Sequence, residues 1–318
     1  MFEFLRARRR ALAVAAASAA VVVLASCSGS DADLPPLFGK VIALGASETD
    51  VGNSCNLVPQ ECCTPSPPYA QGKTSNGKLW VEFVAERLGA SATGSRFGGT
   101  NFAHSGARTT AIAGGATQLV PNMAVQLEQY LASVGYVSSP QALYLVDGVT
   151  FGNDAVDALT LAATDPAAPT RIVTNAVTSI VTIMQRLYAS GARHIVLINS
   201  TNLGLTPLAQ ALGPAAVAAT TQLSAAFNGA LAQQVPALKA ILPGLNIYTV
   251  DVFALSNQAA ANPASLGLTN GTAPCLNVFL PVPTLCPTPD AYFYWDDYHG
   301  AQEAHRQIAA QVLAAIGR

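Results

Sequence analysis

The chain has 318 residues, of which 51% are hydrophobic and 11% charged. That composition excludes a disordered or highly charged chain, and the length suits one large domain or two small ones with a substantial core. Sixteen Lys and Arg stand against 18 Asp and Glu, a net charge of −2. Removal of an N-terminal leader would take away Arg6, Arg8, Arg9, Arg10 and Glu3, leaving 12 basic and 17 acidic side chains, a net of −5. No basic stripe remains to follow a phosphate backbone, so nucleic acid is not an expected partner.

Arg6 to Arg10 form a positive stretch, and Ala11 to Leu24 follow as a run that is apolar apart from Ser18. This pattern reads as a secretory signal and is too short for a comfortable membrane span of roughly 20 residues. Leu24-Ala25-Ser26-Cys27 resembles a bacterial lipobox. The resemblance implies cleavage before Cys27, diacylglycerol on its sulfur and acylation of its new amine. Ordinary cleavage nearby, without lipid, is the alternative. Ser28 is not Asp, and similarity to sorted lipoproteins then favours the outer membrane of a bacterial envelope. Several acyl chains at roughly 0.8 kcal/mol per buried CH₂ make a firm anchor. Ser28 to Pro36 would be a polar tether.

Five cysteines follow Cys27: Cys55, Cys62, Cys63, Cys275 and Cys286. An exported chain can keep disulfides. Cys275 and Cys286 flank a Pro-bearing loop and are expected to pair. Cys55 is expected to pair with Cys62 or Cys63, and the sequence does not choose between them. With no CxxC and no nearby His, Cys62-Cys63 is not expected to hold a metal.

The body alternates strands and helices. Lys40 to Leu44 (KVIAL) reads as a buried first strand, and Trp80, Val84 and Leu88 recur at helical spacing. Ala142 to Val146 (ALYLV) is a second strand. Val173, Val177, Ile180, Met184 and Leu187 mark a long helix stopped near Gly191. His194 to Ile198 (HIVLI) and Asn246 to Val252 (NIYTVDV) are further strands. Between them Ala209 to Leu231 has a helical pattern, interrupted at Gly213-Pro214. Ile308, Val312 and Ile316 stripe a C-terminal helix. The Pro-bearing stretches Asn56 to Lys73 and Ala259 to Tyr292 read as loops. This order predicts an α/β fold, a three-layer α/β/α sandwich around a mostly parallel sheet. In such sheets, sites lie beyond the carboxyl ends of the strands.

Directly after the first strand comes Gly45-Ala46-Ser47-Glu48-Thr49-Asp50-Val51-Gly52-Asn53. A serine at such a turn can expose its hydroxyl, although on its own it reads first as a helix cap. The stretch carries neither GxGxxG nor a Walker loop. Far along the chain, Asp296 stands three residues before His299, one of only four histidines. A carboxylate at that spacing can fix the tautomer of a histidine acting as base for Ser47.

Several segments in order resemble the GDSL esterase/lipase group of SGNH hydrolases. Gly45 to Asn53 resembles its first block, and Gly72-Lys73-Thr74-Ser75-Asn76-Gly77-Lys78-Leu79-Trp80 the stretch that follows in many members. Gly99-Thr100-Asn101-Phe102-Ala103-His104-Ser105-Gly106-Ala107 resembles block two, Gly152-Asn153-Asp154 block three, and Asp296 to His299 the last block. The resemblance implies a flavodoxin-like hydrolase fold over 38–318, after a signal peptide over 1–26 and a lipidated tether over 27–37. It implies Ser47 as nucleophile, His299 as base and acid, and Asp296 as the orienting carboxylate. The Ser47 amide, the Gly106 amide and the Asn153 side chain would form the oxyanion hole, with Asp154 supporting the loop.

Three positions depart from the family pattern. Ala46-Ser47-Glu48 stands where Asp-Ser-Leu is usual; Gly152 directly precedes Asn153 where a residue usually intervenes, or Gly148 aligns with an insertion between them; and Gly300 follows His299 where Pro is usual. The expected reaction is hydrolysis of an acyl ester through an acyl-enzyme, with no cofactor, no metal and no obligate protein partner. Leu, Pro and aromatic residues in Asn56 to Lys73 and Asn257 to Ala291 favour a lipid-like or aryl ester. Acyl transfer through the same acyl-enzyme, and an inactive envelope lipoprotein of the same fold, are the alternatives.

Overall fold

A computed structural model describes residues 38–56, 66–111, 119–278 and 284–318. Four strands build its main sheet: β1 (Lys40–Leu44), β2 (Ala142–Asp147), β3 (His194–Ile198) and β4 (Asn246–Val250). They pair in that order, all parallel, with Leu44 beside Val146, Val146 beside Leu197 and Leu197 beside Thr249. Both faces of the sheet are covered at β1 to β3, which is why these strands read as nearly continuous apolar runs, while β4 at the edge alternates buried and exposed residues.

The pleat sorts alternate residues into two cores. Ile42, Leu44, Tyr144, Val146, Ile195 and Leu197 face α2 (Met123–Ser133), α3 (Phe151–Ala162), α4 (Ala168–Ser190) and α6 (Pro214–Ile241), which follows the short α5 (Pro207–Leu212). Val41, Ala43, Leu143, Leu145, Val196 and Ile198 face the opposite layer. That layer holds α1 (Trp80–Arg87), α7 (Val252–Ala261) and α8 (Gln302–Ala315). The result is the expected α/β/α sandwich with a central parallel sheet.

The structure corrects several boundaries. The strand read as Asn246 to Val252 ends at Val250, because Asp251 caps α7 by accepting the Ala254 N–H at 3.0 Å. Asn257 therefore lies in a helix, not in a loop. The rest of the Ala259 to Tyr292 stretch contributes β5 (Asn270–Pro274), β6 (Leu276–Asn277) and β7 (Thr284–Leu285). β5 pairs with β8 (Tyr292–Tyr294), and β6 with β7. Gly152, Asn153 and Asp154 occupy the first turn of α3 rather than a loop.

Cys275 and Cys286 form a disulfide, as expected. The expected pairing of Cys55 with Cys62 or Cys63 falls outside the described residues, as do Cys27 and the leader.

Candidate active site

Ser47 sits on the turn directly after β1. Gly45 opens that turn against β2, where a Cβ would lie 2.7 Å from the Asp147 side chain, so only glycine fits. Gln126 of α2 clamps both sides of the Gly45 backbone, accepting its N–H and donating to its carbonyl at 2.9 Å each. The Trp80 indole donates to the Thr49 hydroxyl, which donates to Asp147 Oδ2 at 2.9 Å. Burial pushes the Asp147 carboxyl up to about 6, against the hydrogen bonds it accepts from Thr49 and the Val149 N–H.

The last turn before α8 brings the histidine to the serine. His299 Nε2 lies 3.1 Å from Ser47 Oγ. On its far side, His299 Nδ1 is 2.9 Å from both carboxylate oxygens of Asp296. Asp296 Oδ1 accepts the backbone N–H of Tyr298 and of His299, at 3.0 and 2.8 Å. Its Oδ2 accepts the Tyr69 hydroxyl at 2.8 Å. Burial opposes the Asp296 charge, yet His299 and these N–H donors hold its carboxyl below the usual range. Burial likewise opposes protonation of His299, but Asp296, Glu48 and Asp297 outweigh it and push the imidazole up to about 9. Serine, imidazole and carboxylate thus stand in the geometry of a proton relay.

Gly106 of the second block has left-handed backbone, with φ of 79°, a conformation that favours glycine. The buried Asp50 carboxylate sets that loop. It accepts the N–H groups of Gly52 and Asn53 in the first block, of Ser54 just after it, and of Ser105, at 2.8 Å, in the second. Among the described residues, the Ser47 and Gly106 amides meet no acceptor. Asn153 reaches the same loop from α3, with its Nδ2 donating to the Ala107 carbonyl at 2.7 Å. An amide nitrogen carries two hydrogens, so one remains for another acceptor. Asp154 is buried and accepts both the N–H and the hydroxyl of Thr109 at 3.0 Å.

Sequence reasoning names Ser47, Asp296 and His299, and the structure brings them together. It misses the side chains that hold them. Tyr69 is one. Thr74, Ser75 and Asn76 are three more. The Thr74 hydroxyl donates to the Ser47 carbonyl at 3.1 Å, the Ser75 hydroxyl to the Gly300 carbonyl at 2.8 Å, and Asn76 Oδ1 accepts the Gln302 N–H at 2.7 Å. The segment therefore ties the turn of the nucleophile to the turn of the histidine. The resemblance of Gly72 to Trp80 to the stretch that follows block one marks this segment in the sequence, although not the part each side chain plays.

The family model described as GDSL-like Lipase/Acylhydrolase matches residues 41–312, which takes in every one of these groups. The chain belongs to that family. It is a carboxylic ester hydrolase. Among its relatives in Arabidopsis thaliana, one GDSL esterase/lipase is 24% identical over 87% of this chain and 88% of its own length. A second is 26% identical over 87% of this chain and 90% of its own length. A third is 23% identical over 88% and 89%.

Proposed function

We propose that this protein is a serine esterase/lipase that cleaves carboxylic esters through an acyl-enzyme on Ser47, and that it works at the bacterial envelope. The observation that carries the chemistry is the 3.1 Å approach of His299 Nε2 to Ser47 Oγ, with Asp296 on Nδ1. His299 takes the Ser47 proton as Oγ attacks the ester carbonyl. The Ser47 and Gly106 amides, with Asn153, stabilise the oxyanion that develops. His299 then protonates the departing alcohol. Water, deprotonated by the same imidazole, attacks the acyl carbon and releases the acid. Asp296 keeps Nδ1–H directed away from Ser47 and stabilises the imidazolium that forms in each half-reaction. The substrate class is a lipid-like or aryl ester.

The leader and Cys27 support the location. Lipid on Cys27 would place the hydrolase at a membrane surface, where acyl esters are concentrated. Metabolic labelling with a palmitate analogue should mark the wild type and not Cys27→Ser. A mature wild type that is soluble and unlabelled overturns the anchor.

Ser47→Ala tests the chemistry. It should abolish labelling by an organophosphate and cut kcat on p-nitrophenyl esters by roughly 10⁴ or more, since triad members act as a unit. Turnover near the wild-type rate in that variant would remove Ser47 from the mechanism. Product analysis with an added alcohol acceptor separates hydrolysis from acyl transfer.

A further inference from the structure

Two departures from the family pattern, Glu48 and Gly300, meet in space. Glu48 follows the nucleophile and its side chain is 14% exposed. Its Oε1 accepts the Gly300 N–H at 3.1 Å, immediately after His299. Its Oε2 lies 3.1 Å from Nε2 of His305 in α8, a side chain 1% exposed. The Tyr294 hydroxyl, buried nearby without a partner, also feels the Glu48 charge. Gly300 packs tightly here, with an added Cβ at 3.3 Å from Ala304 Cβ and 3.5 Å from Glu48 Oε2.

The chemistry of the pair is reciprocal. Proline has no N–H, so Pro at position 300 would leave a Glu48 oxygen short of a donor in a poorly solvated site. Leucine at position 48 would have no use for that donor. Each departure thus makes the other admissible.

We propose that Glu48 is a positioning residue for His299: through the Gly300 N–H, and set against His305 of α8, it holds the chain that carries the imidazole and turns a carboxylate toward it. The inference rests on the reading of His299 as the general base. The charges facing His299 are Asp296 and Asp297 on its own turn and Glu48 on the turn after β1, while Tyr69 reaches it through Asp296. The titratable groups facing Glu48 are His305, His299, the Tyr294 hydroxyl and Asp147. Glu48 is the one member that touches both α8 and the main chain after His299.

Glu48→Gln keeps an acceptor for the Gly300 N–H and removes the charge. It should move the acidic limb of the kcat/KM profile to lower pH by about half a unit or more, with little change in KM. Gly300→Pro should lower kcat roughly tenfold in the wild type, but less than about threefold when combined with Glu48→Leu, because the two sites share one interaction. Gly300→Ala, which keeps the N–H, should cost less than Gly300→Pro. NMR titration of the His299 imidazole in Ser47→Ala, with and without Glu48→Gln, reads the same basicity without turnover. It decides the point even if Gly300→Pro fails to fold. An unmoved His299 titration, or additive costs for Glu48→Leu and Gly300→Pro, overturns the proposal. Activity surviving in Ser47→Ala overturns the acyl-enzyme reading instead and leaves the titration result standing on its own.

Discussion

The Tyr69 hydroxyl donates to Asp296 Oδ2 at 2.8 Å, across 227 residues of sequence. Asp296 shares its remaining lone pairs with His299 Nδ1 and two backbone N–H groups, so the phenol completes the set around the buried carboxylate. The Tyr69 ring stands edge-on to Trp295, its centroid 5.8 Å away, which fixes the direction of the hydroxyl. A hydrogen bond to a charged group contributes about 1.5–3 kcal/mol. Tyr69→Phe keeps the ring and removes the donor. It should lower kcat about 3–10-fold with a smaller change in KM, since the bond orients the relay and does not hold substrate. Steady-state kinetics with a p-nitrophenyl ester check this. Unchanged kcat would mean that the backbone N–H groups alone hold Asp296.

The raised basicity of His299 sets the pH dependence. The imidazole accepts the Ser47 proton only when neutral. With its pKa pushed up to about 9, the neutral form is a small minority at pH 7. The free-enzyme kcat/KM should therefore climb about tenfold per pH unit through neutrality and level off near 9. Stability runs the other way. A histidine whose folded pKa lies above its unfolded value of about 6.5 stabilises the fold fully below 6.5, and this contribution is lost as pH rises through 9. Activity thus gains over the window in which the His299–Asp296 pairing stops contributing to stability. A kcat/KM profile levelling off near 6.5 would show that Asp296 and Glu48 do not govern His299 in solution.

How much of this is legible in the sequence depends on the range of the forces involved. The strands β1 to β3 are legible because both faces are buried and each is a short apolar run, whereas the edge strand β4 alternates buried and exposed residues. The helix α2 is not, because Gln126 interrupts its apolar stripe in order to bind the Gly45 backbone. The helix α3 hides behind Gly152 and Asn153, residues with poor helix propensity that stand in its first turn for another purpose. Ser47, Asp296 and His299 are legible because their residue types and motif order are restrictive. The stretches that hold Asp50 and Thr74 to Asn76 are legible by resemblance but the roles of these residues, like that of Tyr69, are not, since the Ser105, Asp296, Gly300 and Gln302 groups they bind lie far away in sequence. The loss of a carboxylate at Ala46 is legible, but not its counterpart. Asp147, one strand over, reaches Thr49 and approaches the Ala46 N–H at 3.5 Å, so the turn still has a carboxylate against it.

The disulfide braces the segment that leads into Asp296 and His299. The Cys275 N–H donates to the Tyr294 carbonyl and the Leu276 N–H to the Trp295 carbonyl, at 3.1 and 2.7 Å. Cys275 packs with Tyr69, Trp295 and Ala301. The crosslink spans a sequence separation of 11, for which loop-closure entropy predicts roughly 3 kcal/mol. Cys275→Ala/Cys286→Ala should lower Tm by about 5–10 °C. It should also lower kcat at temperatures well below that Tm, because the strand it supports leads directly into Asp296. A fall in Tm with unchanged kcat would confine the disulfide to stability.

Asn153 and Asp154 are neighbours with separable consequences. Asn153 lies in the first turn of α3 with one Nδ2 hydrogen on the Ala107 carbonyl, next to Gly106. If its other hydrogen meets the oxyanion, Asn153→Ala should cut kcat roughly 10²–10³-fold and change KM far less, because that charge exists only in the transition state. Asn153→Asp should be at least as harmful, since it sets a negative charge beside the developing one. The sequence reading treats Asp154 as loop support, and its burial shows how costly that support is to remove. Burial pushes its carboxyl up to about 7, against the two hydrogen bonds from Thr109. Asp154→Ala leaves the buried Thr109 N–H and hydroxyl without their acceptor, a loss of about 2–3 kcal/mol. It should therefore lower Tm by several degrees, while Asn153→Ala should leave Tm nearly in place. Kinetics and thermal denaturation of the three variants check this in parallel. A large kcat loss in Asp154→Ala at unchanged Tm, with Asn153→Ala near wild type, would exchange the two roles and move the third oxyanion donor away from Asn153.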